Sequence, residues 1–371
     1  MERQNLKLMI PGPIQPADDV LKAMGDPVEA HYGPDWKRYY NETLALLQEV
    51  YGTQGDVYIM PGSGTVAIDG CLGSAFSTGQ KVLIGENGFF GDRLEWVANS
   101  YGLISIPVSA EWGQPLQAGD FEAALDLHPD AAGIAVVHLE TSTTVVNPIE
   151  AIGAVARAHG LCFMVDAVSS LGGLPMHMDE WGVDLCPTSS QKCLGAPPGV
   201  APVAVRSQAW EFIDRNPQKG HGWYNDLRVW KKYAIEWGSW HPSPVTMATS
   251  NVRALRTALD DLLAEGIATR LERYCSLALR LREGLRSIGM LPYTPDEMMA
   301  PVLTAAWCPE GVTSDQIVDY MAENHGIKIS GGLGALKEKL IRIGHMSPTV
   351  STDDIDQVIE GLKDFRKAYG V

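Results

Sequence analysis

The sequence predicts an α/β architecture: a larger domain built on a mainly parallel sheet, followed by a smaller α/β domain. Two observations carry this. Short apolar runs alternate with amphipathic stretches across the first two-thirds of the chain, the rhythm of strands linked through helices. A long helical tract at 250–288 then breaks that rhythm, and a shorter set of strands and helices follows it. At 371 residues the chain also exceeds what one ordinary core accommodates.

Each element has its own signal. A helix is expected at 36–51, with Pro34 suited to its first turn and Gly52 just past its end. Strands are expected at 81–85, 104–108, 133–138, 161–166, 184–187 and 201–205, and helices at 64–76, 89–101, 120–127 and 149–159. Strands joined through helices of this length lie parallel and are covered on both faces. Ligands of such sheets bind beyond the carboxyl ends of the strands. In the second part a strand is expected at 302–307, a helix at 314–325, short strands at 327–330 and 340–343, and a last helix at 352–368. Asp353 and Asp354 suit the positive start of that last helix. No internal repeat or heptad array interrupts the pattern.

Composition narrows the function. Hydrophobic content of 45% and charged content of 20% belong to a soluble globular protein. A net charge of −16 argues against nucleic acid and anionic membrane as partners, since both demand a basic face. No apolar run is long enough to span a bilayer and no signal region opens the chain, so a cytoplasmic location is expected. The six cysteines are scattered without a CxxC pair, a reducing-compartment pattern. The nine histidines show no HExxH and no helical i,i+4 pair, so no metal site is expected.

Chemistry concentrates at the carboxyl ends of the expected strands. Asp166 ends the apolar run Leu161-Cys162-Phe163-Met164-Val165-Asp166, and Lys192 follows in the tight loop Ser190-Gln191-Lys192-Cys193-Leu194-Gly195-Ala196-Pro197-Pro198-Gly199. Pyridoxal phosphate needs such a pair, a lysine for its aldehyde and an acid for its pyridine nitrogen. The competing reading of the lysine is a solvated surface amine. Upstream, Met60-Pro61-Gly62-Ser63-Gly64-Thr65 leads into an apolar helix, whose free N–H groups and added hydroxyls suit a single phosphate. Thr65 equally suits a plain helix cap. There is no GxGxxG and no Walker lysine, which disfavours a dinucleotide or ATP. In Gly88-Phe89-Phe90-Gly91 one phenylalanine suits stacking on a flat ring, although both suit the core. The run Thr141-Ser142-Thr143-Thr144 suits a phenolic oxygen or, equally, a turn.

Taken in order, these tracts resemble class V, fold-type I, pyridoxal-phosphate aminotransferases of the alanine–glyoxylate (serine–pyruvate) group. The likeness runs from Pro11-Gly12-Pro13 to the final helix. It is most specific at Val165-Asp166-Ala167-Val168-Ser169-Ser170-Leu171-Gly172-Gly173, at the lysine loop, and at Gly331-Gly332-Leu333-Gly334 with Arg342-Ile343-Gly344. The resemblance implies a seven-stranded, mainly parallel sheet in the large domain. It implies an N-terminal arm at 1–14, a cofactor-binding domain at 15–262 and a small domain at 263–371.

It also implies roles. Lys192 bonds the aldehyde of pyridoxal 5′-phosphate and Asp166 pairs with its pyridine nitrogen. Phe90 stacks on the ring and Val168 packs on the opposite face. Thr141 and Ser142 fall near the phenolic oxygen, and Ser63, Gly64, Thr65 and Gln191 hold the phosphate. Arg342 takes the substrate α-carboxylate, for which its planar fork is suited. Family members are homodimers with shared sites. Trp240-His241-Pro242-Ser243-Pro244 stands where they often carry Tyr-His-His-Thr, so Ser243 is expected at the phosphate of the neighbouring subunit. His31-Tyr32-Gly33 and Tyr224 are candidates for the donor pocket. The implied reaction moves an amino group from a small L-amino acid, of the alanine or serine type, to a 2-oxo acid such as glyoxylate or pyruvate, with ping-pong kinetics. The alternatives are an activity like that of pyridoxamine–pyruvate aminotransferase and a desulfurase or lyase on the same fold, which would need a reactive cysteine such as Cys308.

Overall fold

Seven strands form the central sheet, in the order Asp56–Gly62, Gly199–Val205, Leu185–Pro187, Cys162–Asp166, Gly133–Val137, Lys81–Glu86 and Ile104–Ser109. The structure is a computed structural model and describes residues 6–217 and 222–371, so residues 1–5 of the expected arm lie outside the described residues. Six strands share one direction; Gly199–Val205 runs antiparallel to both its neighbours. Gly133–Val137 and Cys162–Asp166 are buried along their whole length, as central parallel strands covered on both faces must be. Their residues alternate between two cores. Ile134, Val136, Phe163 and Val165 point to one face, and Ala135, Val137, Cys162 and Met164 to the other.

The strand Asp56–Gly62 is absent from the strands expected from the pattern. Its apolar run is short and Pro61 closes it, which reads as a strand breaker. It is tolerated because this strand lies at the sheet edge and pairs only with Gly199–Val205. The helical tract at 250–288 is two helices, Thr249–Glu265 and Ile267–Ser287, broken at Gly266. Short helices at Asp18–Met24, Met178–Trp181, Ala209–Arg215 and Leu227–Glu236 also escape the sequence pattern. The hydroxyl run 141–144 is a turn, as one of its two readings had it, and it closes a small hairpin of Leu139–Glu140 against Val145–Val146.

A second sheet lies in the C-terminal part, with Leu340–Gly344 between Leu303–Trp307 and Ser330–Gly331, all antiparallel. Its core is separate and joins Ile341 and Ile343 to Leu281, Ile317, Ile355 and Phe365 of the covering helices. The N-terminal arm ties the two parts together. Lys7–Leu8 pairs in parallel with Ile327–Lys328, Gly344 N donates to Met9 O (2.9 Å), and Ile14 N donates to Gln191 O (3.0 Å) in the lysine loop. Among the described residues no helix is long and apolar enough to cross a membrane.

Phe163 is fully buried in the middle of the sheet. Phe163→Ala is expected to lower stability by about 3–5 kcal/mol, read from the midpoint of urea unfolding. A loss below about 1 kcal/mol would show that this position is not the packed centre described here.

Candidate active site

The carboxyl ends of the parallel strands converge on a cavity of about 380 Å³. At one side the strand Asp56–Gly62 turns into the helix Gly64–Ala75. Ser63 is its N-cap residue in extended conformation (φ −84°, ψ 167°), and its side chain makes no capping bond. Its hydroxyl and that of Thr65 stand at the cavity wall beside the positive end of the helix, where an anion is favoured. The cavity's Gln191 carries a buried amide oxygen that has no hydrogen-bond partner among the described residues, and Ser189 Oγ in the same loop is in the same state. Unmet buried polar atoms of this kind call for a ligand or water.

Asp166 and Lys192 both line this cavity. Asp166 ends its strand, and its Oδ1 accepts from Val168 N at 2.8 Å. Burial pushes its carboxyl up to about 6. The Val168 N–H opposes that rise, Glu140 adds to it, and Arg93 and Lys192 pull it back. Burial likewise pushes the Lys192 amine down to about 8. Cys193 and Asp166 hold it up, while Arg342 and Arg93 drive it further down. Lys192 Nζ donates to the Pro11 carbonyl, which the arm carries over the cavity. The arm comes this close because residue 12 is glycine. At φ +95° a Cβ there would lie 2.5 Å from Lys192 Cδ.

Phe90 and Val168 also line the cavity. One turn beyond Phe90, Arg93 lines the cavity too, its guanidinium 4.9 Å from the Phe90 centroid. The sequence reading missed Arg93, although its i,i+3 spacing from Phe90 on one helix face was a usable signal. Thr141 and Ser142 do not line the cavity. Both are buried in the hairpin behind it, where Thr141 O accepts from Arg342 Nη1 at 3.0 Å and Ser142 Oγ donates to Glu140 Oε1 at 2.6 Å. Glu140, fully buried, is a second residue the sequence reading missed. Its signal was a lone carboxylate in the otherwise uncharged stretch 133–147.

Arg342 sits in the middle of Leu340–Gly344, paired with Ala305 and Ser330. Its Nε donates to Gly331 O at 2.8 Å. Burial pushes its guanidinium down to about 10, against the pull of Glu140, and it forms no ion pair among the described residues. An arginine anchored along one edge and lacking a carboxylate partner is built to receive one. Ser243 lies away from this cavity and donates to Val245 O at 3.1 Å. Tyr224 reaches the base of the Ser63 turn, its hydroxyl donating to Pro61 O at 2.5 Å. His31 pairs with His241 at 2.9 Å, beside the exposed rings of Tyr32 and Trp240.

The arrangement of sheet, cavity, lysine and acid has close counterparts. The class-V aminotransferase family matches residues 30–358. An uncharacterized aminotransferase of Methanocaldococcus jannaschii is 37% identical over 339 residues, which span 91% of this chain and 87% of the relative. The (S)-ureidoglycine–glyoxylate transaminase of Bacillus subtilis is 30% identical, covering 96% of this chain and 89% of the relative. The crystal structure of an alanine–glyoxylate aminotransferase from Nostoc sp. superposes with a TM-score of 0.93 at 33% identity, over 98% of this chain and 96% of that one. The fold is that of the fold-type I α/β aminotransferases, and the chain belongs to the class-V aminotransferase family. It is a transaminase.

The depressed proton affinity of Lys192 has a direct readout. The amine is mainly protonated below about pH 8 and mainly neutral above it. Acetylation of Lys192 in the coenzyme-free protein, followed by mass spectrometry, is therefore expected to rise with pH and level off just above 8. A rate that keeps climbing toward the ordinary lysine value of 10.5 would contradict this environment.

Proposed function

We propose that this transaminase works with pyridoxal 5′-phosphate in the cavity between Ser63 and Lys192, and that it moves an amino group from a small L-amino acid of the alanine or serine type to a 2-oxo acid such as glyoxylate or pyruvate. One observation carries the proposal: Lys192 and Asp166 line a single cavity that also includes an open helix start and an aromatic ring. The coenzyme, when bound, supplies an electron sink for the substrate's α-carbon. Ser63, Gly64, Thr65 and Gln191 hold its phosphate, Phe90 and Val168 its two ring faces, and Asp166 keeps a proton on its pyridine nitrogen. The cationic partner brings the Asp166 carboxyl down again. Thr141 and Ser142 are given no direct contact with the coenzyme; they act from the hairpin behind the cavity, on Arg342 and Glu140.

Lys192 Nζ is the proton carrier. An amine lowered to about 8 is neutral in a substantial fraction near neutral pH, so it takes the α-proton and later returns it. Arg342 orients both carboxylate substrates with the donors that Gly331 and Thr141 leave free. Glyoxylate as acceptor is supported by relatives that are named for it. The desulfurase reading is disfavoured because burial pushes the Cys308 thiol up to about 12, the opposite of a nucleophile's environment. A phosphate-free substrate, as for pyridoxamine–pyruvate aminotransferase, leaves the helix start at Ser63 without its anion.

The active form proposed is a homodimer, with Ser243 serving the phosphate site of the neighbouring copy. Support comes from the rings of Tyr32, Trp223, Trp237 and Trp240, all exposed on the single chain. Residues 1–14 act as the arm, 15–262 as the coenzyme-binding domain and 263–371 as the small domain. Six unbridged cysteines suit a cytoplasmic setting.

Three measurements test this. Lys192→Ala is expected to abolish turnover; substantial transamination without added amine would overturn its role. Arg342→Ala is expected to raise KM for amino acid and oxo acid alike by about thirtyfold or more, while unchanged KM values would remove it from carboxylate binding. Half-reaction spectroscopy over a panel of amino acids is expected to show fastest bleaching of the bound coenzyme with alanine or serine. Fastest bleaching with a large or acidic donor would redirect the substrate assignment.

A further inference from the structure

The helix that carries Phe90 starts without a cap of its own. It spans Phe89–Ser100, and its N-cap residue is Gly88, which has no side chain to offer. The first intrahelical donor is Asp92 N, to Gly88 O at 3.1 Å. That leaves the N–H groups of Phe89, Phe90 and Gly91 without partners in the helix. All three are answered from the hairpin about fifty residues away. Phe89 N donates to Ser142 Oγ (2.9 Å), and Phe90 N and Gly91 N both donate to Glu140 Oε2 (2.9 and 3.0 Å). The other carboxylate oxygen, Oε1, accepts from Ser142 N (2.9 Å) and Ser142 Oγ (2.6 Å). Each oxygen thus accepts twice, at the positive end of a helix. Gly88 is glycine for this contact, since a Cβ there would lie 2.4 Å from Glu140 Cγ.

The same hairpin holds the other half of the site. Thr141 O, the next carbonyl along, accepts from Arg342 Nη1 at 3.0 Å. Glu140 is near enough to act on the Arg342 charge yet makes no ion pair with it. Further on, Thr144 O accepts from Ala300 N (3.1 Å) and Val145 bridges to Met299, just before the strand Leu303–Trp307 of the small sheet.

We infer that Glu140 is the positioning residue that sets the ring-stacking Phe90 and the carboxylate-binding Arg342 in one fixed relation, capping the Phe90 helix with its carboxylate while the adjoining Thr141 carbonyl anchors the arginine. The inference rests on the coenzyme and substrate assignments proposed above. The carboxylate acts on the guanidinium charge without pairing with it, so Arg342 keeps no carboxylate partner among the described residues. Glutamine cannot replace it, because whichever way the amide points, its NH2 faces an N–H donor of either the helix or Ser142.

The test is Glu140→Gln, made alone and together with Phe90→Ala, with coenzyme affinity of the apoprotein measured by absorbance titration. The single variant is expected to keep its far-UV circular dichroism, to bind pyridoxal 5′-phosphate about tenfold more weakly, and to show a raised KM for both substrates. In the Phe90→Ala background the same change is expected to have little further effect on coenzyme affinity, because the ring it orients is gone. A folded Glu140→Gln protein with unchanged coenzyme affinity and KM overturns the inference, as do fully additive losses in the double variant. If Glu140→Gln does not fold, Ser142→Ala decides. Coenzyme binding about threefold weaker supports the inference, and unchanged binding overturns it. Failure of the underlying assignment looks different, because the unmodified protein would then take up no coenzyme.

Discussion

Two groups of opposite charge, the half-buried Lys192 amine and the buried Asp166 carboxylate, line one cavity, and the rest of the site follows from their shared withdrawal from water. Burial disfavours charge on both. It moves the acid up to about 6 and the amine down to about 8, so their proton affinities approach each other across neutral pH. A surface lysine or aspartate has no such property. The protein supplies an amine with a sizeable neutral fraction near neutral pH and an acid whose charge is held ready for a cationic ring. Cys308 and Cys193, pushed the other way by the same burial, are left inert.

The scaffold exists to hold Lys192 and Asp166 at that cavity. Parallel strands deliver Asp166, the Ser63 turn and the Phe90 helix to the same edge, because each ends at the carboxyl side of the sheet. The lysine loop leaves the carboxyl end of Leu185–Pro187 at the same edge, and the antiparallel Gly199–Val205 starts there, with Gly199 paired to Gly62. Two segments then cross from this sheet to the smaller one. The arm lays Pro11 and Gly12 over Lys192, and the hairpin at 139–146 joins Phe90 to Arg342. Substrate carboxylate and coenzyme ring are thereby referred to one frame although their ligands come from distant parts of the chain.

How much of this was legible in the sequence depended on range. Apolar runs revealed six of the seven large-sheet strands; five of them are buried along most of their length, and the sixth, Ile104–Ser109, is a largely exposed edge strand. The edge strand Asp56–Gly62 was hidden by Pro61, and Gly266 was too slight a break to divide a helical tract. Lys192, Asp166, Ser63 and Thr65 were recognisable from residue type and local turn chemistry, Phe90, Val168 and Gln191 through the family resemblance, and all seven line one cavity. Arg93 and Glu140 were not recognised. Arg93 has a local signal that competes with an ordinary exposed helix face. Glu140 acquires its meaning only when three backbone N–H groups and a hydroxyl arrive from elsewhere in the fold. Thr141 and Ser142 looked like groups facing a ligand, but the hairpin turns them to bind Arg342 and Glu140.

The central claim is that the Lys192 amine is the group that takes up the coenzyme. The most direct measurement is borohydride reduction of the protein in saturating pyridoxal 5′-phosphate, followed by peptide mapping by mass spectrometry. The account predicts a phosphopyridoxyl mass fixed on Lys192, and its absence when Lys192 is replaced by alanine. A catalytically active protein that retained no such mass, or carried it on a different lysine, would contradict the account.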